Sequence, residues 1–556
     1  MSSARFLVAA SRRRPLLRAL AVGSTIAASV LLAPGAVASA DETAADTIVG
    51  QLVQAWPESR DESSVAEAPI SWVENGDGDA VRIPSEDVAG IPAGTTMQIT
   101  VAPQTDGTAE DPLHEVLDTE VLAAAPTDPV LRSAAGLTNQ VTVVRVAPAG
   151  AAKDDVTAQQ LVDVVDGPVA DFWSAQSNGA IAVGVTATRD WISPTAGCSD
   201  PTAMWNEVAA GVGFVPGAGK HLMLYISRAA TDCSYALAEV GSSPATGGRL
   251  YVHDTVASVI AHELGHNFGL GHSSARQCDG AVESTSCRTT AYRDYYDVMG
   301  VSWAQLGSLN APQAARLGVL PAAQQQSLTV RGTETSATLA PFSGRTGTRA
   351  LRLTDAEGVD YWLEYRTATG QDAWLGTSGN RYRLQTGVLL RRADRLPDTS
   401  LLLDGTPGAA AAWDSDLQTA LPVGMPVPVS GGDFTVVVQS VTVDGAVLTV
   451  TPTPPAAGVA GTPAAAAPAP RVLPGAGSAG ATTSTPAGDT APDLTQAAVG
   501  AGPVASSGIQ NLESVAEAAS SSGVALPLAA AVLVGCALLG GPVLRRVRRN
   551  GVGIRG

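Results

Sequence analysis

Half of the chain's six histidines fall within eleven consecutive residues. The string reads His262-Glu263-Leu264-Gly265-His266-Asn267-Phe268-Gly269-Leu270-Gly271-His272. His262 and His266 stand at i and i+4, which on a helix puts both imidazoles on one face, close enough to share a metal ion. Glu263 adjoins the first of them and can reach a water held on that metal. Gly269 lets the chain leave a helix sharply, since glycine tolerates positive φ, and His272 can then swing back as a third ligand. Three neutral imidazoles with one open position describe a catalytic zinc site. A structural site would close the fourth position with cysteine or histidine, and no such residue is spaced here to do so. The bland alternative is a buried helix with hydrogen-bonded core histidines. The third histidine weighs against it.

The flanking residues must supply the helix. Arg249-Leu250-Tyr251-Val252 has the look of a strand, with His253 at its end and no metal role. Asp254 or Thr255 can cap the helix that follows. Val256, Val259, Ile260 and Leu264 form its apolar stripe. Upstream, Val141–Val146, Ile181–Val185 and His221–Ile226 read as strands, and residues 156–176 as helix, kinked or broken at Gly167-Pro168. This order suits a mixed α/β sheet with the site in a cleft along its edge.

On these residues the sequence resembles the metzincin zinc peptidases, whose extended histidine motif is followed by a Met-turn. Tyr295-Tyr296-Asp297-Val298-Met299-Gly300 supplies that turn, with Met299 27 residues after His272. The resemblance makes Met299 a hydrophobic floor beneath the three histidines. The runs Leu309–Gly318 and Asp360–Arg366 look more particularly like the gametolysin-type family. Astacin-like members carry a tyrosine two residues after the turn methionine as a switchable ligand. Val301 stands there, so that variant is not supported. The resemblance implies an α/β (α+β) catalytic domain with a twisted mixed sheet and a zinc helix. His262, His266 and His272 would hold Zn²⁺, and Glu263 would act as general base. Tyr295 or Tyr296 could assist an oxyanion or simply pack around the turn. Asp294 and Asp297 could orient loops or ligands, or be surface residues.

The rest of the chain bounds this reading. A net charge of −18 and a sequence pI near 4.7 argue against nucleic-acid binding. With 36 prolines and 58 glycines, long unstructured stretches are expected. Thirty-two arginines against two lysines, with abundant alanine, suggest a GC-rich bacterial genome. Arg5, Arg12, Arg13, Arg14 and Arg18 precede an apolar run and a small-residue site, Ala38-Ser39-Ala40, the pattern of an export signal by a Sec or twin-arginine route. Val524–Leu544 carries no charge and is long enough to cross about 30 Å of hydrocarbon. Arginines 545, 546, 548 and 549 follow it and place the tail in the cytoplasm. Of the five cysteines, Cys198, Cys233, Cys278 and Cys287 lie in the expected catalytic region. Four allow three pairings, and Cys198–Cys233 with Cys278–Cys287 is the pairing expected in an oxidising compartment.

The expected organisation is a signal peptide (1–40), an N-terminal β-rich, propeptide-like region (41–138), the metallopeptidase domain (139–325) and a β-sandwich-like domain (326–453). A Pro/Ala/Gly/Ser/Thr-rich stalk (454–522), a transmembrane helix (523–544) and a basic tail (545–556) complete it. In the N-terminal region, Trp72–Ile83 reads as a hairpin around Asn75-Gly76 and Met97–Val101 as a strand. Asp77 and Asp79 read as a solvated turn rather than a calcium loop. The region contains no cysteine, so if it keeps an enzyme latent another group must block the metal; His114, Asp118 and Glu120 are the candidates. The expected function is an exported, membrane-anchored zinc endopeptidase of the cell surface acting on protein or peptide. Its rivals are a surface adhesin with a degenerate peptidase domain and a zinc hydrolase of a non-protein amide such as a cell-wall cross-link. Intact Glu263 opposes the first.

Overall fold

A computed structural model describes residues 45–60, 68–76, 78–102, 113–125, 136–301 and 304–454. The expected signal peptide, transmembrane helix and basic tail, the stalk beyond residue 454, and Asp77 lie outside the described residues. Among the described residues no helix is long and apolar enough to cross a membrane. The chain divides into two units, Met1–Ala464 and Ala465–Gly556, the second wholly outside the described residues.

Among the described residues the strands form three sheets. The first holds β1 (Asp46–Glu58), β2 (Ile70–Glu74), β3 (Ala80–Ile83), β4 (Thr96–Val101), β5 (Val116–Ala123), β6 (Asn139–Val146), β7 (Val183–Ile192), β8 (Lys220–Ile226), β9 (Ala236–Glu239) and β10 (Gly248–Val252). Its main order is β3-β2-β1-β9-β10-β8-β6-β7, with β4 on β1 and β5 on β4. The strands β7, β6, β8 and β10 run parallel. Such strands are covered on both faces, which is why His221–Ile226 is an unbroken buried run rather than an alternating one.

Four helices supply the cover: α1 (Ala158–Val164), α2 (Ala170–Ser177), α3 (Pro201–Val212) and α4 (Ala257–Asn267). Leu161, Phe172, Trp173, Val259 and Leu264 from α1, α2 and α4 bury one face with Val141, Val143 and Met223. Met204, Trp205 and Val208 of α3 bury the other with Val144, Leu222 and Leu224. Thr157 opens α1 with a capping box to Gln160. The break read at Gly167-Pro168 is present, with Gly167 outside helical geometry (φ −97°, ψ −108°) between α1 and α2.

The N-terminal hairpin β2–β3 and strand β4 form where the sequence places them. What the sequence did not announce is β1. It pairs with β2 and β4 along part of its length, and its last four residues pair antiparallel with β9. The expected boundary at 138/139 therefore does not divide the sheet.

The second sheet contains β11 (His272–Cys278), β12 (Cys287–Thr290), β13 (Gln325–Thr329), β15 (Ala350–Thr354), β16 (Asp360–Arg366), β17 (Gly387–Ala393) and β18 (Asp398–Leu403). The third contains β14 (Thr335–Leu339), β19 (Pro426–Val429), β20 (Phe434–Thr442) and β21 (Gly445–Pro452). The two pack face to face as a sandwich through residues such as Leu351, Leu363, Leu390, Phe434, Val436 and Leu448, with β11 and β12 from before residue 326 in the same second sheet. The expected boundary at 325/326 is nonetheless crossed, because β11 pairs parallel with β18. Both expected disulfides are present, Cys198–Cys233 and Cys278–Cys287, the second across the β11–β12 hairpin.

A buried ionic network joins this second sheet to the segment after β12. Glu364 and Arg366 of β16, Arg391 of β17, Asp294 and Asp372 are all at most 1% exposed. Glu364 Oε1 accepts from Arg366 Nε and from Arg391 Nε, each at 2.8 Å. The Arg391 guanidinium also donates to Asp294. Glu364 Oε2 accepts from the Ala311 amide at 2.6 Å, at the start of α5 (Ala311–Arg316). Burial opposes the charge on Arg391, and Asp294 and Glu364 outweigh it, raising its pKa above the usual guanidinium value. Replacing Arg391 by Met leaves the buried Asp294 carboxylate without its counter-ion and Glu364 with Arg366 alone. Denaturant unfolding should show a loss of about 3–5 kcal/mol; a loss under about 1 kcal/mol, the range of exposed pairs, would mean that the network is not a support.

Candidate metal centre

The helix α4 carries His262 and His266 and is buried along Ser258–Asn267, between the parallel sheet and the turn that follows β12. Its N-cap is Val256, without a side-chain bond, not the expected Asp254 or Thr255. Asp254 instead accepts the Thr255 amide and pairs with Arg60 at 3.2 Å and Arg228 at 2.9 Å. His253 lies before the helix and outside the histidine cluster, as expected. The helix ends as the sequence requires. Gly269 has φ +96°, its amide bonds to the His266 carbonyl, and the Leu270 amide bonds to the Gly265 carbonyl. The chain reverses and His272 opens β11, its amide held at 2.7 Å by the Pro397 carbonyl.

The three imidazoles converge. Ring centroids lie 4.7 Å apart for His262–His266, 4.9 Å for His266–His272 and 5.7 Å for His262–His272. His262 Nδ1 is 2.8 Å from the Val298 carbonyl and His266 Nδ1 is 2.9 Å from the Leu270 carbonyl. A carbonyl oxygen only accepts, so both bonds place the proton on Nδ1 and leave the Nε2 lone pair for a metal. Burial depresses the pKa of His266, and that of His272 to about 4, which keeps both neutral.

A fourth donor is present that the sequence reading did not name. Glu58, the last residue of β1, places Oε1 at 3.5 Å from His262 Nε2, 3.4 Å from His266 Nε2 and 3.1 Å from His272 Nε2. Zinc bonds nitrogen and carboxylate oxygen at about 2.0–2.2 Å, so a tetrahedron around it has edges of about 3.4 Å. The Glu58 separations match that edge, and the donor set suits zinc. His114, Asp118 and Glu120 take no part in the cluster; Asp118 and Glu120 are exposed on β5. No local signal marked Glu58, one of the chain's 52 acidic residues. Only the lack of cysteine in its region pointed to some other group.

Glu263 is fully buried beside this cluster, and neither of its carboxylate oxygens has a hydrogen-bond partner. Burial, and then the charge on Glu58, raise its pKa well above the ordinary carboxylate value. Buried polar atoms are nearly always satisfied, so this pair of acceptors marks a place for a donor such as a water molecule.

Met299 lies under α4, with its sulfur against Gly265; a Cβ there would collide with it. Tyr295 and Tyr296 do not approach the histidines: Tyr295 stacks on Tyr382 at 4.1 Å, and Tyr296 donates to the Gln385 carbonyl at 2.8 Å. The tyrosine at the site is Tyr292, with its ring centroid 4.0 Å from that of His272 and its backbone at φ +59°. That left-handed conformation of a bulky residue is not legible in sequence. Asp294 and Asp297 are buried, not surface residues. Asp297 accepts the amides of Met299 and Asn310, and Asp294 accepts Ser273 Oγ at 2.6 Å, beside His272. Both shape the turn rather than hold an imidazole.

Residues 170–314 match the family model of the reprolysin-like metallopeptidases, family M12B. The stretch includes α4, the three histidines, Glu263 and Met299, and it supports a metzincin-type peptidase. No curated protein matches the chain. One solved structure, described as a chaperone–substrate complex, aligns with 39% of this chain at 13% identity and a TM-score of 0.18. The aligned part is 33% of that structure's length, and likeness of this degree carries no argument.

Gly265→Ala tests the contact between α4 and the turn. Overpacking should cost about 1–3 kcal/mol and weaken zinc uptake, read by thermal unfolding with and without zinc. Unchanged stability and uptake would show that Met299 yields freely.

Proposed function

We propose that the chain is an exported zinc endopeptidase of metzincin type. The single observation that carries this is Glu263, buried and without a hydrogen-bond partner beside three imidazoles whose Nε2 atoms face one point. A buried, unpartnered carboxylate at that place suits a general base. Zinc, when bound, would supply an acidified water and a polarised carbonyl. His262, His266 and His272 would hold the metal, two of them with their tautomer fixed by carbonyls. Glu263 accepts the proton of the attacking water and passes it to the leaving nitrogen. The apolar wall formed by Met299 and α4 keeps bulk water out. The M12B match favours a peptide bond over a non-protein amide, and intact Glu263 weighs against a degenerate enzyme.

Finer points rest on sequence pattern. The runs Leu309–Gly318 and Asp360–Arg366 support a gametolysin-type relationship. The basic and apolar N-terminus supports export, as do the two disulfides, which persist in oxidising compartments. The uncharged run at residues 524–544 supports a membrane anchor that holds the catalytic body outside the cell.

Recovered from cells in its mature form, the protein should carry about one zinc per chain, as a three-histidine site implies, and cleave a mixed peptide library. Glu263→Ala should keep the zinc and lose about 10²-fold to 10⁴-fold in turnover. His272→Ala should lose the zinc. Turnover that survives Glu263→Ala would sink the assignment.

A further inference from the structure

We propose that β1 is a built-in inhibitor of this site, with Glu58 as a fourth metal ligand that stands where the attacking water must stand. This rests on the zinc-peptidase reading above and concerns how the same centre is regulated.

Three observations converge. The first is the reach of Glu58 Oε1 to all three Nε2 atoms at 3.1–3.5 Å, with the side chain 1% exposed. A site with three imidazoles and a carboxylate has no open position, and closed sites do not catalyse. The second is the way the carboxylate is delivered. Ala55, Trp56, Pro57 and Glu58 face Glu239, Ala238, Leu237 and Ala236 across an antiparallel ladder. The Tyr235 amide donates to the Glu58 carbonyl and the Val240 amide to the Gln54 carbonyl, each at 2.8 Å. The register therefore fixes Glu58, and no neighbour, over the histidines. The third is a side-chain anchor. Trp56 is 3% exposed, packs with Ala93, Val240 and Leu396, and sets its ring edge-on to His272 at 6.0 Å.

The mode of binding is strand addition to an exposed sheet edge, in which main-chain bonds give affinity and alternate side chains give specificity. Tethering gives the Glu58 carboxylate an effective concentration in the millimolar range or above, so a single carboxylate suffices. Opening exchanges one carboxylate oxygen for one water oxygen and leaves β9 with a free edge. No bond in the chain need break for that exchange; β1 must only leave β9. The assignment gives the region before residue 139 an inhibitory role through Glu58 rather than through His114, Asp118 or Glu120.

The test uses the full chain loaded with cobalt(II) in place of zinc, because the visible absorption of cobalt reports its ligands without turnover. Acetohydroxamate is the probe. The wild-type spectrum should not move at millimolar probe, whereas Glu58→Gln should take it up at least about tenfold more tightly, as removal of a tethered competitor requires. Zinc-loaded Glu58→Gln should also hydrolyse peptides at least about tenfold faster than the wild-type full chain. A wild-type chain that takes the probe readily overturns the proposal, and that measurement needs no folded variant. A Glu58→Gln chain that takes the probe yet cleaves no peptide upholds the inhibitor and sinks the peptidase reading.

Discussion

The geometry of the histidine cluster hangs on a line of charges taken out of water: Asp294, Arg391, Glu364, Arg366 and Asp372. Each would be costly alone, and removing either arginine leaves a buried aspartate without its counter-ion. Together they fix the turn from Tyr292 to Gly300 against β16 and β17. That turn supplies the Val298 carbonyl that sets the His262 tautomer, and the Met299 side chain on which α4 rests. An imidazole 2.8 Å from its carbonyl cannot wander. The second sheet is thus no appended module. It is the anvil for the histidine cluster, and its strand β18 also pairs with β11, which His272 begins.

This explains what could and could not be read from the residues in order. The histidine string was legible because helical spacing, a glycine exit and a returning ligand are all local. The kink at Gly167-Pro168 and the short Cys278–Cys287 loop were legible for the same reason. The runs Leu309–Gly318 and Asp360–Arg366 were legible only as a resemblance. The structure gives them a physical meaning: Asn310 and Gln313 bond near the turn and β11, while Glu364 and Arg366 belong to the buried charges. Asp294 and Asp297 could not be sorted from surface aspartates, because burial in the turn depends on strands nearly a hundred residues away. Tyr292 escaped notice because its place depends on a left-handed backbone, while Tyr295 and Tyr296, nearer to Met299, point elsewhere.

Strand β9 is the least conspicuous element and the most consequential. It has four residues and no alternating pattern, yet it is where β1 joins the parallel strands. Exposed sheet edges attract partners, and proteins commonly cover them. Here the cover is supplied by the chain itself. Without β9 the end of β1 would have no register on the parallel strands, and nothing would hold Glu58 over the histidines.

A donor set alone therefore does not separate a structural zinc site from a catalytic one. The same three imidazoles would close a zinc site with Glu58 in place and would leave one position open without it. The choice of a carboxylate is consistent with release. A thiolate is a soft ligand that binds zinc tightly, and the residues before 139 contain none. A carboxylate holds more weakly and depends on being presented by its strand. Affinity is then carried by the ladder and by Trp56, and the metal contact decides only what the bound strand does. Glu263, next to His262 in the chain and without a hydrogen-bond partner of its own, is the group that such an arrangement leaves waiting.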